Sequence, residues 1–307
     1  MKSLLLKYKM QKKIGAVIVT FNPDISGLFN LVNIISKQFE SILIVDNGST
    51  NVFEMHDTLT FDSISFLDLN ENLGIAAALN KGIDYYANQG YQWVATFDQD
   101  SVPDENFIDN FLALSIESAG VVGSYYIDRN WSDSEVSEYL SNYKEYEETN
   151  YVITSGAFVN VEAWAKIGGF DNQLFIDWVD WDLNERMTLA GWKVFRTKKL
   201  MMEHQVGEPV RVSHWIRILL WLHNRPVRDH SSFRQYYIFR NRFIFLMRYK
   251  NASRFIALMK SVIALREILV LPEKPLKFQA ALIGIVDGMK YDIKLDDFFQ
   301  TFLKEID

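Results

Sequence analysis

The chain has 307 residues, a formal net charge of −7 and 49% hydrophobic residues. This length and apolar content suffice for one large α/β domain with an accessory element, and they exclude a disordered chain. Cysteine is absent, which excludes disulfides and thiolate metal sites and is typical of a reducing compartment. The N-terminal MKSLLLKYKMQKK has too short an apolar run for a signal peptide, and no uncharged apolar run reaches the roughly 18 residues that span a bilayer. We expect a cytoplasmic globular protein.

Strands and helices alternate through the first 200 residues. Short β-branched runs predict four strands, and apolar residues at three- and four-residue spacing predict two amphipathic helices. The strands are predicted at 14–20, 42–45, 64–67 and 93–97, and the helices at 26–39 and 75–87. This alternation predicts a Rossmann-like, mostly parallel sheet with flanking helices, in which ligands bind at the carboxyl ends of the strands.

Small polar or acidic residues follow each of these strands. The four stretches are Thr20-Phe-Asn22-Pro23, Asp46-Asn47-Gly-Ser49, Asn70-Glu-Asn72-Leu-Gly74 and Asp98-Gln-Asp100. A dinucleotide-binding enzyme would need G-x-G-x-x-G after its first strand. Pro23 occupies that turn instead, so dinucleotide binding is disfavoured.

The pattern changes beyond residue 210. Two segments, Val212–Leu222 and Phe233–Tyr249, have helical length and spacing, and we predict a boundary near Glu208-Pro209 that separates domains 1–210 and 211–307. Residues 211–270 hold 12 Lys and Arg against two acids, a balance of +10, whereas the rest of the chain has a balance of −17. The excess positive charge predicts contact with anionic lipid headgroups or a diphosphate-linked lipid acceptor.

Apolar and aromatic side chains of the same region are predicted to fill a helical core. They are Trp215, Leu219, Leu222, Tyr236, Phe239 and Phe243. Nucleic-acid binding by the basic segment is disfavoured, because the acidic remainder of the chain would repel a polyanion.

Asp98 and Asp100 lie just past the fourth strand, where the chain turns before Pro103. At this position both carboxylates can face one ligand, whereas on a regular strand they would point to opposite faces. Hard oxygen donors suit Mg²⁺ or Mn²⁺, which keep coordination positions open for phosphate oxygens. A lone D-x-D is also an ordinary solvated turn, and the motif alone leaves both interpretations open.

Two other strand ends also have two interpretations each. The stretch from Asp46 is either a simple Asn-Gly turn or a site where a carboxylate and an amide contact a nucleoside. The stretch from Asn72 is either the start of an alanine-rich helix or a helix N-terminus that offers its amides to a diphosphate.

Three aspartates, Asp177, Asp180 and Asp182, lie among large apolar residues far downstream. A solvated charge run would not be interleaved with so many apolar groups, and a carboxylate in such surroundings suits a general base. Helix N-capping by Asp180 or Asp182 is the alternative for one of them. His204 follows a strand predicted at 193–197 and is either a metal ligand or an ordinary core or surface histidine.

Taken in order, these segments resemble family 2 glycosyltransferases with the GT-A fold. The resemblance covers about residues 12–210 and rests on VIVTFNP, IVDNGS, NENLGIAAALNKGI, TFDQDS, GGFDNQLFIDWVDWDLNER and His204. The forms FDQDS, NLGIAAALN and FIDWVDWD are most similar to bacterial rhamnosyltransferases that use dTDP-L-rhamnose to build surface polysaccharides or glycolipids. A UDP-hexose transferase of the same class and a non-catalytic nucleotide-sugar-binding component of a polysaccharide assembly complex are the alternatives.

The resemblance implies a role for each matched residue. Contacts to the nucleotide-sugar are implied for Thr20, Asn22, Asp46, Asn47, Asn72, Gly74 and Asp98. Mg²⁺ or Mn²⁺ would be held by Asp98, Asp100 and His204, and Asp180 takes the position of the catalytic base. The implied reaction is an inverting displacement onto a saccharide or lipid-linked saccharide at the inner face of the membrane.

Two positions depart from the family's pattern. Val179 stands where an acid often precedes the base, which leaves open whether Asp177 replaces that acid. Leu79 stands where many relatives have an arginine, so that arginine's contact to the nucleotide is absent or made elsewhere.

Overall fold

The computed structural model describes residues 13–128, 131–204, 210, 212–222, 227–250 and 252–306, and no side chain is described for residues 128, 133 and 204. The sequence features at residues 1–12 and the predicted boundary near Glu208-Pro209 lie outside these residues. Contacts within the chain divide it into two compact units. The first contains residues 13–172 and 180–204, and the second contains residues 173–179 and 210–305. The sequence prediction did not assign residues 173–179 to the C-terminal part.

A single mixed sheet contains the nine strands of the described residues, in the order β3-β2-β1-β4-β8-β6-β9-β5, with β7 paired to β9. Its strands are β1 Ile14–Thr20, β2 Ile42–Asp46, β3 Ile64–Asp68, β4 Trp93–Asp98, β5 Ser101–Pro103, β6 Ala119–Asp128, β7 Tyr146–Glu148, β8 Ala157–Asn160 and β9 Lys193–His204. The four strands predicted from the sequence are β1 to β4, and they form one parallel block. Their parallel pairing confirms the predicted α/β class, and β8 extends the sheet in the antiparallel direction.

The helices of the first unit lie between these strands. They are α1 Ile25–Ile35, α2 Val52–Thr58, α3 Ile75–Ala87, α4 Phe107–Leu112, α5 Asp133–Ser141, α6 Val161–Lys166 and α7 Val179–Leu189. Helix α1 buries Leu28, Leu31, Val32 and Ile35, a spacing of three and four residues that puts all four on one face. Asp24 caps its N-terminus by accepting a hydrogen bond of 2.8 Å from the Gly27 amide.

The core of the first unit explains why these segments fold as they do. Every residue of β1 and β2 is buried, as expected for central parallel strands that are covered on both faces. Aromatic rings fill the space beside β4, where Phe111 stacks on Phe158 with centroids 3.7 Å apart. Each fully buried large apolar side chain stabilises the fold by about 1.5–3 kcal/mol. This rigid block fixes the positions of the strand ends.

The second unit is helical, as predicted. Its helices are α8 His214–Leu219, α9 Ser232–Tyr249, α10 Arg254–Ala264, α11 Lys274–Met289 and α12 Asp297–Ile306, with 3-10 turns at Leu265–Val270 and Ile293–Leu295. Leu222, Phe239 and Phe243 are buried, in agreement with the predicted core. Trp215 and Leu219 are 79% and 80% exposed, so their predicted place in the core is wrong.

Arginines of α9 have partners inside the second unit, so part of the positive charge that the sequence assigned to a lipid partner is used within the fold. Arg248 forms a buried ion pair with Asp296, and Arg240 donates to the carbonyl of Gln173. Arg234 makes two hydrogen bonds to Asp177, from Nη2 to Oδ1 at 2.6 Å and from Nε to Oδ2 at 3.2 Å. Much of the positive charge of α9 therefore stabilises the fold.

The segment 173–179 is held on α9 by hydrogen bonds. The buried Asn241 amide donates to the carbonyls of Leu174, Ile176 and Asp177 at 2.7, 2.9 and 3.0 Å. Phe175, Asp177 and Trp178 have φ values of 62°, 62° and 65° in the left-handed region. Because residues other than glycine rarely adopt such angles, this backbone conformation depends on the contacts to α9.

Candidate active site

The ends of β1, β2 and β4 bring three of the predicted site residues to one edge of the sheet. β1 lies between β2 and β4, with Thr20 opposite Asp46 and Val19 opposite Asp98. The carboxyl ends of parallel strands are the usual place for a ligand in such sheets. The edge therefore presents hydroxyl, carboxylate and amide groups side by side.

Asp46 is buried and organises the turn after β2. Its Oδ1 accepts hydrogen bonds from the hydroxyls of Thr20, at 3.0 Å, and Ser49. Its Oδ2 accepts from the amides of Gly48 and Ser49 at 3.1 and 2.8 Å. Gly48 has φ 85°, and a Cβ there would lie 2.7 Å from the carbonyl carbon of Glu71. Asp46 thus shapes a turn that packs closely on the loop after β3, and that turn requires a glycine.

Asparagine side chains connect the loops after β2 and β3. The Asn47 amide donates to Asn72 Oδ1 at 3.0 Å, and Asn47 Oδ1 accepts from the Leu73 amide at 2.9 Å. Asn72 Oδ1 also accepts from the amide of Gly74, the residue that precedes α3, at 3.0 Å. Asn72 and Gly74, which were predicted to lie near the ribose and diphosphate, therefore belong to two hydrogen-bonded loops at the start of α3.

Asn22 joins the loop after β1 to the same region. Its Oδ1 accepts from the backbone amide and the hydroxyl of Thr50 at 2.8 and 2.9 Å, and the backbone amide of Asn22 donates to the Ser49 hydroxyl at 2.8 Å. The six residues that were predicted to contact the nucleotide-sugar after β1, β2 and β3 thus belong to connected loops.

The D-x-D stretch is fixed by its middle residue and by a neighbouring turn. Gln99 Oε1 accepts from the Phe21 amide at 2.8 Å, so its side chain extends the pairing between β4 and β1. The amide of Asp98 donates to the Ser155 hydroxyl at 2.9 Å. Asp98 is half-buried and Asp100 is exposed. The sequence reasoning did not identify Gln99, although its position between the two aspartates was a usable signal.

The donor set at this turn suits a hard divalent ion. Within the described residues no group of three or more His, Asp or Glu lies close enough to hold a metal ion by itself. In the backbone register of β5 and β9, His204 lies opposite Ser101, the residue that follows Asp100, and the side chain of His204 is not among those described. Carboxylate oxygens such as those of Asp98 and Asp100 are the kind of donor that Mg²⁺ and Mn²⁺ prefer, and these ions keep coordination positions open for phosphate oxygens.

Asp180 lies in the first turn of α7 and accepts hydrogen bonds from two hydroxyls. Thr154 donates to Oδ1 at 3.1 Å and Tyr151 donates to Oδ2 at 3.5 Å. The Tyr151 ring stacks on Trp181 with centroids 3.9 Å apart and an interplanar angle of 14°. The alternative that Asp180 or Asp182 caps this helix is wrong, because α7 begins at Val179 and both residues lie inside its first turn.

The turn before β8 connects Asp180 with the D-x-D stretch. Thr154 contacts the Asp180 carboxylate, and the next residue, Ser155, contacts the amide of Asp98. Thr96 of β4 holds this turn by donating to the Thr154 carbonyl at 2.5 Å. The predicted base and the backbone of Asp98 are therefore joined by two adjacent hydroxyl residues.

The other two aspartates of the downstream cluster are paired with arginines. Asp177 pairs with Arg234, and Asp182 forms a fully buried ion pair with Arg186, Nη2 to Oδ2 2.7 Å. Arg186 also donates to the carbonyls of Ile167 and Gly169 at 2.7 and 2.6 Å. Both aspartates are thereby accounted for by the fold.

Asn80 ties α3 to the same Gly-Gly turn. Its Oδ1 accepts from the Phe170 amide at 2.8 Å and from the Trp164 indole at 3.1 Å, and its amide donates to the Phe170 carbonyl at 2.8 Å. The sequence reasoning missed Asn80 and Arg186, which support the site without being candidates for chemistry. Leu79, beside Asn80, is buried.

The strand order, the strand-end loops and the D-x-D turn define a GT-A glycosyltransferase. The family model for glycosyl transferase family 2 matches residues 16–165. The dTDP-rhamnosyl transferase RfbF of Shigella flexneri is 30% identical in an alignment of 245 residues that covers 74% of this chain and 78% of that protein. This chain therefore belongs to glycosyltransferase family 2, and it is a glycosyltransferase close to the rhamnosyltransferases, as predicted.

Solved structures with low sequence identity share the fold. GalNAc-T7 with UDP, GalNAc and Mn²⁺ has a TM-score of 0.57 and 14% identity over 96% of this chain, which covers 56% of that one. S. aureus TarS in complex with UDP-GlcNAc has a TM-score of 0.52 and 12% identity over 95% of this chain and 92% of that one. These similarities confirm the GT-A fold.

Proposed function

We propose that this enzyme transfers L-rhamnose from dTDP-L-rhamnose to a hydroxyl of a saccharide or lipid-linked saccharide in cell-surface polysaccharide synthesis. The similarity to RfbF supports the donor. The observation that carries the site assignment is the Thr154-Ser155 turn, whose hydroxyls contact Asp180 and the end of β4. Donor loops and base then flank one reaction centre.

The proposed mechanism is a single displacement with inversion. Asp180 removes the proton from the acceptor hydroxyl, whose oxygen bonds to the anomeric carbon while the bond from that carbon to the diphosphate oxygen breaks. Thr154 and Tyr151 orient the carboxylate for this transfer. Asp98, Asp100 and His204 would hold Mg²⁺ or Mn²⁺, which when bound stabilises the charge on the diphosphate. The loops of Asn22, Asn47 and Asn72 would orient the nucleotide.

Replacing the base tests the assignment directly. Asp180→Asn keeps the shape of the side chain but removes its proton-accepting charge, so we expect kcat to fall by roughly 10²- to 10⁴-fold while the donor still binds. The measurement is dTDP release with acceptor, together with donor protection against thermal unfolding. Asp57→Asn, at an exposed aspartate of α2, is the matched control. Wild-type turnover in a folded Asp180→Asn enzyme would show that the base is another residue.

The donor is tested with a panel of nucleotide-sugars. We expect dTDP-L-rhamnose to give faster nucleotide release and more thermal protection than UDP-glucose, UDP-galactose and UDP-N-acetylglucosamine. A preference for a UDP-sugar would keep the enzyme class and contradict the rhamnose donor.

Chelation tests the metal. Excess EDTA should abolish transfer, and added Mg²⁺ or Mn²⁺ should restore it, because the diphosphate would otherwise leave without charge compensation. Unimpaired transfer in EDTA would remove the metal role from Asp98, Asp100 and His204.

We also propose that the enzyme associates peripherally with the inner face of the membrane, where a lipid-linked acceptor would be found. Basic residues of 211–270 that lie outside the contacts of α9, such as the exposed Arg254 and Lys260, support this location. Among the described residues, no helix has the length and apolarity that a membrane crossing requires.

A further inference from the structure

Helix α11 buries mainly small residues and exposes most of its large apolar ones, the reverse of an ordinary surface helix. Ala281, Gly284 and Gly288 are buried, and a Cβ on Gly284 would lie 2.3 Å from the Tyr236 carbonyl oxygen of α9. The exposed residues of this helix are large and apolar: Leu276, Phe278, Leu282, Ile283, Val286 and Met289. α11 therefore packs closely on α9 at its small residues, with Ile285 and Lys277 also buried, and presents most of its large apolar residues outward.

Helix α10 also buries small residues and exposes large apolar ones. Its buried residues are Ala257, Ser261 and Ala264, spaced four and three residues apart on one face. Its exposed large apolar residues are Phe255, Ile256, Met259, Val262 and Ile263. Two consecutive helices thus share one pattern.

This pattern is the opposite of that in a water-soluble helix. A helix on an aqueous surface buries its large apolar side chains and exposes polar ones. Small residues at helix contacts with large apolar residues outside are typical of helices that face lipid. Single exposed apolar residues are common on protein surfaces, but five on α10 and six on α11 form a pattern that needs a partner.

We propose that the outward apolar face of α10 and α11, the α10-α11 face, docks on an anionic lipid bilayer. This inference rests on the peripheral association proposed above and names the surface responsible. α11 has 16 residues and spans about 24 Å, less than the roughly 30 Å of a hydrocarbon core, so the helices lie in the plane of the interface.

A groove on this unit fits the same occupant. It has a volume of about 770 Å³ and is lined by apolar residues that include Leu269, Phe278, Leu282 and Ile283, with Lys274 also in its lining. Acyl chains match such a lining, and the Lys274 ammonium matches a lipid phosphate.

The charges of the two helices favour a bilayer over a second copy of this chain. Within α10 and α11 the exposed charged residues are Arg254, Lys260 and Lys274, whereas Lys277 is buried in an ion pair with Asp229 and Asp287 is half-buried. The exposed acids Glu267 and Glu273 lie in the connection between the two helices. A two-fold dimer would place the same basic patch of each copy against the other, where like charges repel. Anionic headgroups would neutralise it.

Vesicle flotation of the full chain tests the proposal. Wild-type protein should float with phosphatidylcholine vesicles that contain phosphatidylglycerol, and less with phosphatidylcholine alone. Phe255 and Leu276 are 70% and 57% exposed, so replacing both with serine removes little packing. The double variant should lose about tenfold or more in partitioning, because each apolar side chain no longer leaves water.

Phe53→Ser is the matched control, since Phe53 is 82% exposed on α2 of the first unit and should not affect flotation. Lys260→Glu with Lys274→Glu should weaken binding to phosphatidylglycerol vesicles only. Melting temperature and dTDP release with a soluble acceptor should stay at wild-type values in all variants.

The possible outcomes distinguish the peripheral association from the assignment of the α10-α11 face. A wild-type chain that does not float even at low salt would contradict the peripheral association itself. A double variant that floats like the wild type would leave the association in place and overturn the α10-α11 face. If the wild type does not float but sediments as a dimer that the double variant disrupts, the face is a self-association surface instead.

Discussion

Arg186 shows how a buried charge positions the candidate base from six residues away. It is fully buried and bonds to Asp182 one turn earlier on α7 and to two carbonyls of the Gly-Gly turn after α6. These bonds fix the start of α7, where Asp180 lies. A buried ion pair rarely contributes more to the free energy of unfolding than a pair of well-packed apolar residues would, so stability alone does not explain this pair.

Removing the arginine should destabilise the protein strongly. Arg186→Met leaves Asp182 as a buried charge without this partner, and we expect a loss of about 3–5 kcal/mol in the free energy of unfolding, measured by urea denaturation. Lys193→Ala is the control, because it breaks an exposed ion pair with Glu148 and should cost less than about 1 kcal/mol. The double variant Arg186→Met/Asp182→Leu should recover part of the loss. An equal effect of Arg186→Met and Lys193→Ala would contradict the interpretation.

Thr154 is predicted to position the base under the proposed mechanism. Thr154→Val removes the hydroxyl that donates to Asp180 Oδ1 and keeps the side-chain shape. A hydrogen bond to a charged group contributes about 1.5–3 kcal/mol, so kcat should fall roughly 10- to 100-fold. Donor affinity should not change, and Thr154→Ser, which keeps a hydroxyl, should restore most of the rate. Loss of rate in both variants alike would indicate a structural role only.

The placement of the candidate site residues at one edge of the sheet could be predicted from the sequence, but their supporting contacts could not. Strand ends are visible in a hydrophobic pattern, so Asp46 and Asp98 could be assigned to one edge. Gln99 and its partner Phe21 are 78 residues apart, and Asn80 and Phe170 are 90 apart. No local pattern encodes such pairs, because they depend on which strands become neighbours.

At the scale of elements, α9 is the organising helix of the second unit. It holds the left-handed segment 173–179 through Asn241 and Arg234, and it receives α11 at a close approach. The sequence predicted this helix nearly to its ends, but the excess positive charge of residues 211–270, which includes its arginines, was assigned to a lipid or lipid-linked partner. Their partners Asp177 and Asp296 are distant in sequence, and a count of charges cannot reveal them.

Gly284 is expected to be essential for the contact between α9 and α11. Alanine has about 1 kcal/mol more helix propensity than glycine, which favours Gly284→Ala. Its Cβ would lie 2.3 Å from a backbone oxygen that cannot move alone, and such overpacking costs typically about 1–3 kcal/mol. We expect net destabilisation in urea unfolding, whereas Gln279→Ala, at an exposed position of the same helix, should be neutral or slightly stabilising. A more stable Gly284→Ala protein would show that the helices can separate at little cost.

At the scale of the whole molecule, the two units differ in charge and in surface character. The first carries acidic loops around a rigid sheet, which under the proposed function would hold a cation beside the diphosphate of the nucleotide. The second combines basic residues with an outward apolar face. The sequence predicted the charge asymmetry. It could not show which arginines are paired internally or which apolar side chains are left exposed, since both depend on helix packing.

His230 should make the stability of the molecule depend on pH. The chain has five histidines, the residues whose ordinary pKa lies between pH 5 and 8. Burial, followed by the charges of Arg234 and Arg228, lowers the pKa of His230 below its ordinary value, although Asp177 and Asp229 act in the opposite direction.

The sign of the effect follows from proton binding. Below about pH 6.5 the unfolded chain protonates this histidine more readily than the folded protein does. The stabilising contribution of neutral His230 is therefore complete above about pH 6.5 and is lost as the pH falls through the lower folded pKa. We expect urea unfolding to show less loss of stability on acidification in His230→Gln than in the wild type. His214→Gln, at an exposed histidine of the same unit, is the control for the substitution itself. If His230→Gln and the wild type lose the same stability, His230 is not the group responsible.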